Sequence, residues 1–171
     1  PSQIRRRRLA PLRLRPGVTF SDGTPFTSAD VLFSFRALYD PKVASDIASG
    51  MKIGDRPIVV TAPDPETVVL TFPAPYGPGL SILDSLPILP RHKLEAALDA
   101  GNFGAMWTVA TPPADIVGLG PFLVAEYKPG QRMRFARNPH YWGKDAAGRQ
   151  LPYLDELVLE FVPDQNAEML R

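Results

Sequence analysis

The sequence predicts a mixed α/β fold, of the α+β kind, with mixed or antiparallel sheets and interleaved helices. Three observations carry it. Apolar alternation of period two recurs in short runs separated by Pro-, Gly- and Asp-rich turns, as in Thr67–Phe72 and Gln131–Arg137. Between these runs lie two segments of helical periodicity, after Thr27 and after Pro90. Finally, 20 prolines in 171 residues point to many turns and extended connections rather than a helical bundle.

Taken in order, Asp22-Gly23 supplies a turn that tolerates positive φ, and Pro25 sets an extended approach. Thr27 then reads as a helix N-cap with Asp30 three residues on, a capping-box spacing. Val31, Leu32, Phe35, Leu38 and Tyr39 form one helical face, and Asp40-Pro41 ends the helix. Turn and cap roles account for Asp22 and Asp30, leaving no reason to read them as catalytic carboxylates. Ile58–Ala62 and Glu66–Phe72 flank Pro63-Asp64-Pro65 as a hairpin, with Val68, Leu70 and Phe72 on its buried face. A short helical segment is expected over Leu80–Leu86. A second helix is expected over Arg91–Ala100, entered by Pro90, turned inward by Leu94, Ala97 and Leu98, and stopped by Gly101. Periodicity fades from Asn102 to Ile116, a loop containing Trp107, which either fills a core edge or meets a ligand. Phe122–Tyr127 and Gln131–Arg137 form a second hairpin about Lys128-Pro129-Gly130. Met133 and Phe135 lie on one side of it, and Arg132 and Arg134 on the solvated other. Leu157, Leu159 and Phe161 mark a last strand.

Composition excludes several function classes. No apolar run approaches the ~18 residues of a membrane-spanning helix, and mean hydropathy is −0.09. There is no cysteine, hence no disulfide framework and no thiolate chemistry. The chain holds no nucleophile elbow, phosphate loop or zinc-binding helix signature, and Gly118-Leu119-Gly120 lacks the third glycine of a dinucleotide fingerprint. His92 and His140 are far apart in sequence and lack ligand-like partners, so no metal and no cofactor is expected. Six arginines and no acids lie in the first 15 residues, whereas the whole chain carries only +1, so the remainder is net acidic. Residues 1–11 are expected to be a flexible basic segment. Arg5–Arg8 supply the only basis for a nucleic-acid-binding reading.

Three stretches carry a family resemblance: LRLRPGVTFSDGTPFTSADVLFSF from Leu12, GLGPFLVAEYKPGQRMRFARNPHYWG from Gly118, and LPYLDELVLEFVPDQNAEM from Leu151. Together with the weaker PILPRHKLE at Pro87, they resemble the family 5 extracellular solute-binding proteins, the dipeptide, oligopeptide and nickel receptors of ABC importers. The resemblance implies a periplasmic-binding-protein-like type II fold, with residues 12–171 as part of the first lobe. It implies a non-enzymatic protein, periplasmic or tethered outside the cell, that captures a peptide or other small solute for permease subunits. Because such receptors close two lobes on the ligand, a one-lobe stretch is expected to bind weakly or not at all. Tyr76, Trp107, Gly118, Gly120 and Phe122 are the ligand-binding positions that the resemblance suggests. Tyr141-Trp142 reads instead as lobe packing. The GKDAAGRQLPYLDE segment at Gly143 is longer than its counterpart in the best-known dipeptide receptors, so peptide, oligosaccharide, opine and metal complex all stay open as ligands. The alternative role is a ligand-sensing domain of a receptor or regulator.

Overall fold

The computed structural model describes residues 9–162. Arg5–Arg8 and the end of the family-like stretch beyond Val162 lie outside the described residues. The chain forms two compact units, one from residues 9–17 and 25–106, the other from residues 18–24 and 107–162.

The first unit contains strand β1 (Leu9–Arg13), helix α1 (Ser28–Tyr39), the short pair β2 (Lys52–Ile53) and β3 (Arg56–Pro57), strands β4 (Val59–Asp64) and β5 (Thr67–Thr71), and helix α2 (Arg91–Asp99). Its main sheet has the order β1-β5-β4 and is antiparallel throughout. The period-two pattern of β5 sends Val68 and Leu70 into the core, where Val31, Phe35 and Leu38 of α1 meet them beside Met51, Ile58 and Phe72.

Leu9, Ala10 and Pro11 correct the expected flexible segment over 1–11. They are strand, paired with Thr71, Leu70 and Val69, and Ala10 is buried. The neighbouring arginines mask this short apolar alternation in the sequence. Pro11 is tolerated because β1 lies at the sheet border; Pro63 sits likewise in the other border strand, β4.

The α1 N-terminus is held as the capping-box spacing predicts. The Asp30 carboxylate accepts the Thr27 backbone N–H at 2.9 Å and the Thr27 hydroxyl at 3.2 Å. Its second oxygen accepts the Arg91 N–H of α2 at 3.1 Å, so one buried acid serves the starts of two helices. The Ser34 hydroxyl repeats the link, donating to the Asp30 carbonyl at 2.7 Å and accepting the Leu89 N–H at 2.8 Å. Contact with α2 is also why α1 buries Phe33 and Ala37 besides its expected face, while Leu32 and Tyr39 stay half-buried. Tyr39 directs its hydroxyl inward to the Met51 carbonyl at 2.7 Å and accepts the Ile58 N–H at 3.1 Å. Burial pushes its pKa up. The helical segment expected after Leu80 is a 3₁₀ helix, Gly79–Ser85.

The second unit is a three-stranded antiparallel meander of β6 (Phe122–Lys128), β7 (Arg132–Arg137) and β8 (Glu156–Glu160). Gly130, at φ +68°, makes the β6–β7 turn. The register places Val124, Tyr127, Met133, Phe135, Leu157 and Leu159 on one face. Glu126, Lys128, Arg132, Arg134, Glu156 and Glu160 lie on the other, interspersed with Leu123, Ala136 and Val158. On that charged face Glu126 pairs with Lys128 at 3.1 Å and Arg132 at 2.9 Å, and Arg134 pairs with Glu156 at 2.9 Å.

Candidate ligand-binding surface

Tyr76 belongs to the first unit. It follows β5 through a proline-rich turn and stacks on Phe72, with ring centroids 6.2 Å apart. A groove of about 390 Å³ opens beside its ring, lined by apolar Ile47, Met51 and Ile82 and by polar Asp46, Ser49 and Ser85. Such a mixed lining suits a ligand with both apolar and hydrogen-bonding parts.

The other four expected positions lie in the second unit, along a strap over residues 107–122 that is more ordered than its sequence suggests. Trp107 is half-buried, adopts φ +51°, and donates its indole N–H to the Asp115 carbonyl at 3.1 Å. A bulky residue in the left-handed region costs of order 1–3 kcal/mol, and such strain concentrates at functional sites. The Thr108 N–H bonds the Thr111 hydroxyl at 2.8 Å, and the Pro113–Asp115 turn packs against β6. These threonine turns have no periodicity, which is why the strap reads as a plain loop.

Two staples fix the far end of the strap. Gly118 exchanges two hydrogen bonds with Ser21: its carbonyl accepts the Ser21 N–H at 3.0 Å and its N–H donates to the Ser21 hydroxyl at 3.2 Å. The fully buried Asn138 donates its side-chain amide to the Gly120 carbonyl at 2.8 Å, and its backbone N–H to the Pro121 carbonyl at 2.9 Å. Its Oδ1 accepts the His140 N–H at 2.9 Å. Phe122 then opens β6 opposite Arg137. The structure thus gathers Gly118, Gly120 and Phe122 on one short stretch and links Trp107 to the same strap.

Neither Gly118 nor Gly120 lies in the left-handed region. A Cβ at Gly118 would meet nothing within 4 Å, and one at Gly120 only the Phe122 carbonyl at 3.8 Å. The space beside their Cα atoms is open, while the Gly118 N–H and carbonyl and the Gly120 carbonyl are held by Ser21 and Asn138. Ser21 and Asn138 are the positioning residues that sequence reasoning missed; only the Asn138-Pro139 turn signal hinted at the second.

The long segment after Trp142 closes on itself. Lys144 bridges Gln150, and the Asp145 carboxylate accepts the Tyr153 hydroxyl at 2.5 Å and Arg149 Nε at 2.7 Å. The Tyr153 hydroxyl, foremost, and the Arg149 bonds hold the Asp145 pKa down at about 2. Tyr153 is pushed up in turn, chiefly by the same bond. These groups already satisfy one another, and among the described residues no three His, Cys, Asp or Glu side chains gather where they could hold a metal ion.

The first unit thus offers an aromatic ring beside a mixed groove, and the second a strap with two uncrowded glycines; neither gathers a set of groups suited to covalent chemistry among the described residues. Comparison with known proteins agrees. Residues 11–171 match the bacterial extracellular solute-binding proteins, family 5 middle. This chain belongs to that family. It is 33% identical over 162 residues to the "Probable ABC transporter-binding protein" of Deinococcus radiodurans, covering 91% of this chain and 27% of the relative. The oligopeptide-binding protein AppA of Bacillus subtilis, solved with a nonapeptide, superposes with a TM-score of 0.73 at 27% identity, covering 95% of this chain and 30% of that one. The binding protein AgaA from A. tumefaciens R10, solved with agropinic acid, gives 0.71 at 27% identity, covering 99% and 30%. The chain therefore spans under a third of each of these proteins. The family is one of extracellular binding proteins rather than enzymes.

Proposed function

We propose that this chain is part of the substrate-binding component of an ABC importer, one that captures a peptide or other small solute in the periplasm and presents it to permease subunits. The observation that carries the reading is the continuous family match over residues 11–171, which runs through both compact units. A protein of this kind works by population shift, with ligand favouring the closed state that the permease recognises. Residues 12–171 contribute part of the first lobe. Within it Tyr76 and the strap of Trp107, Gly118, Gly120 and Phe122 offer contact surface and do no covalent chemistry. The nonapeptide held by Bacillus AppA favours a peptide, and the agropinic acid held by AgaA marks the opines as the next class to try.

Thermal-shift measurements on a full-length receptor containing this stretch, with peptides, opines, sugars and metal chelates as separate additions, test the reading. One class should raise Tm by several degrees, because a ligand that binds only the native state stabilises it by mass action. If none shifts Tm at millimolar concentration, the proposal fails.

A further inference from the structure

In the groove beside Tyr76 the backbone is spent and the side chains are not. One wall is the turn over residues 45–52. It is wound by the Ala48 N–H donating to the Ser45 carbonyl at 3.0 Å, and by Met51 to Ile47 and Lys52 to Ser49, both at 3.2 Å. The Tyr39 hydroxyl ties this turn to α1 through the Met51 carbonyl. The other wall is the 3₁₀ helix Gly79–Ser85, which brings Ile82 and Ser85 to the groove. Met51 and Ile82 are buried and give it an apolar floor. At its rim the Asp46 carboxylate, the Ser49 and Ser85 hydroxyls and the Tyr76 phenol have no side-chain hydrogen bond or ion pair among the described residues.

The charge in this lining is one-sided, because Asp46 is its only ionised side chain. Other acids of the unit are occupied: Asp64 accepts the Glu66 N–H, Glu95 pairs with Arg91, and Asp99 with Arg36. Asp55 and Asp84 are unpaired too, but neither lines the groove. An ammonium or guanidinium group brings only donors, and carboxylate, hydroxyls and phenol can all accept them. The Tyr76 ring adds a π face for the same cation, and the apolar floor suits the hydrocarbon stem that carries it. A solute carboxylate in that place would meet Asp46 as a like charge, so the groove discriminates by repulsion as well as attraction. We infer that this groove seats an ammonium or guanidinium group of the solute with its apolar stem, and that Asp46 determines the preference for it. The inference rests on the reading that Tyr76 faces solute.

The test uses nonapeptides that differ only in carrying lysine, glutamine or glutamate at alternate central positions, each with a free and an acetylated amino terminus. They are titrated into a full-length receptor carrying this stretch. Either the lysine peptide should bind about fivefold to tenfold tighter than the other two, or the free terminus should beat the acetylated one by that factor. This is the scale of a surface ion pair joined to a cation–π contact. The first result assigns the seated group to a side chain, the second to the terminus. Asp46→Asn should reduce the preference to within about twofold, and Tyr76→Leu should roughly halve it. Asp84→Asn, a neighbouring acid outside the groove, should leave it unchanged. Asp46 is exposed and unbonded, so its substitution should move the Tm of the unliganded receptor by no more than about 1 °C. No preference for the cation, a preference that survives Asp46→Asn, or an equal loss for every peptide in that variant overturns the inference. A receptor stabilised by opines, sugars or metal chelates but by none of these peptides also overturns it, while the importer reading stands. Silence from every solute class sinks both.

Discussion

Asp30 shows how much a single side chain can organise. Its carboxylate takes two hydrogen bonds from Thr27 and one from the Arg91 N–H, in a residue only 5% exposed. Asp30→Ala strands these donors at two helix starts and should cost about 2–4 kcal/mol in urea unfolding, with Asp30→Asn losing less. Tyr39→Phe, which leaves the Ile58 N–H and Met51 carbonyl unpaired, should cost about 1–3 kcal/mol by the same measurement. Two glycines make an opposed pair. A Cβ on Gly143 would sit 2.5 Å from the Tyr141 ring, whereas Gly118 has open space. Gly143→Ala should therefore lower stability by about 1–3 kcal/mol, and Gly118→Ala should leave Tm nearly unchanged. The capping role of Asp30 was legible in the sequence because it is local, Thr27 to Asp30. Its bond to Arg91, 61 residues on, was not, because no periodicity encodes a tertiary partner.

At the scale of elements, the loop over residues 143–153 depends on a charge that can be titrated. Folding holds the Asp145 pKa at about 2 against an ordinary 3.8, so the bound proton is disfavoured in the folded loop. The stabilisation from this carboxylate is fully present above pH ~4 and disappears as pH falls toward 2. The protection of the Ala147 and Arg149 amides, which bond to Asp145, against hydrogen exchange, taken relative to the intrinsic rate at each pH, should fall over that interval. Tyr153→Phe removes the largest cause of the shift, so the transition should move upward toward pH 3.8. An unchanged transition would assign the loop's order to its backbone alone. Both hairpins, α1 and α2 were readable from alternation and helical spacing, since each carries its pattern within one segment. Strand β1 was hidden by its arginine-rich surroundings, and the order of the 107–117 strap by hydrogen bonds from threonines that leave no hydrophobic signature.

For the whole molecule, family membership followed from motifs spread along the chain, and the structure assigns those motifs to two units. The candidate surface was only partly legible. Gly118, Gly120 and Phe122 do share one stretch, with Trp107 on the same strap, but Tyr76 belongs to the first unit. Receptors that close on a ligand gain affinity from surface buried on both sides of it. The 171-residue chain by itself should therefore show no micromolar affinity for nonapeptides or opines in isothermal titration. Micromolar binding by the chain alone would show that its own surfaces suffice. In a full-length receptor carrying this stretch, Trp107→Ala should weaken solute binding about tenfold or more while Ser81→Ala, outside the expected contacts, should not.

The two border strands of the first sheet share a residue type that can offer no amide hydrogen. With Pro11 at one margin and Pro63 at the other, a stray extended chain finds its hydrogen-bonding rail broken on either side. Each proline removes one amide donor from its margin of the sheet, which disfavours strand addition there. Replacing both prolines with valine should shorten the lag before thioflavin-positive aggregates form, even where the folded state is no less stable.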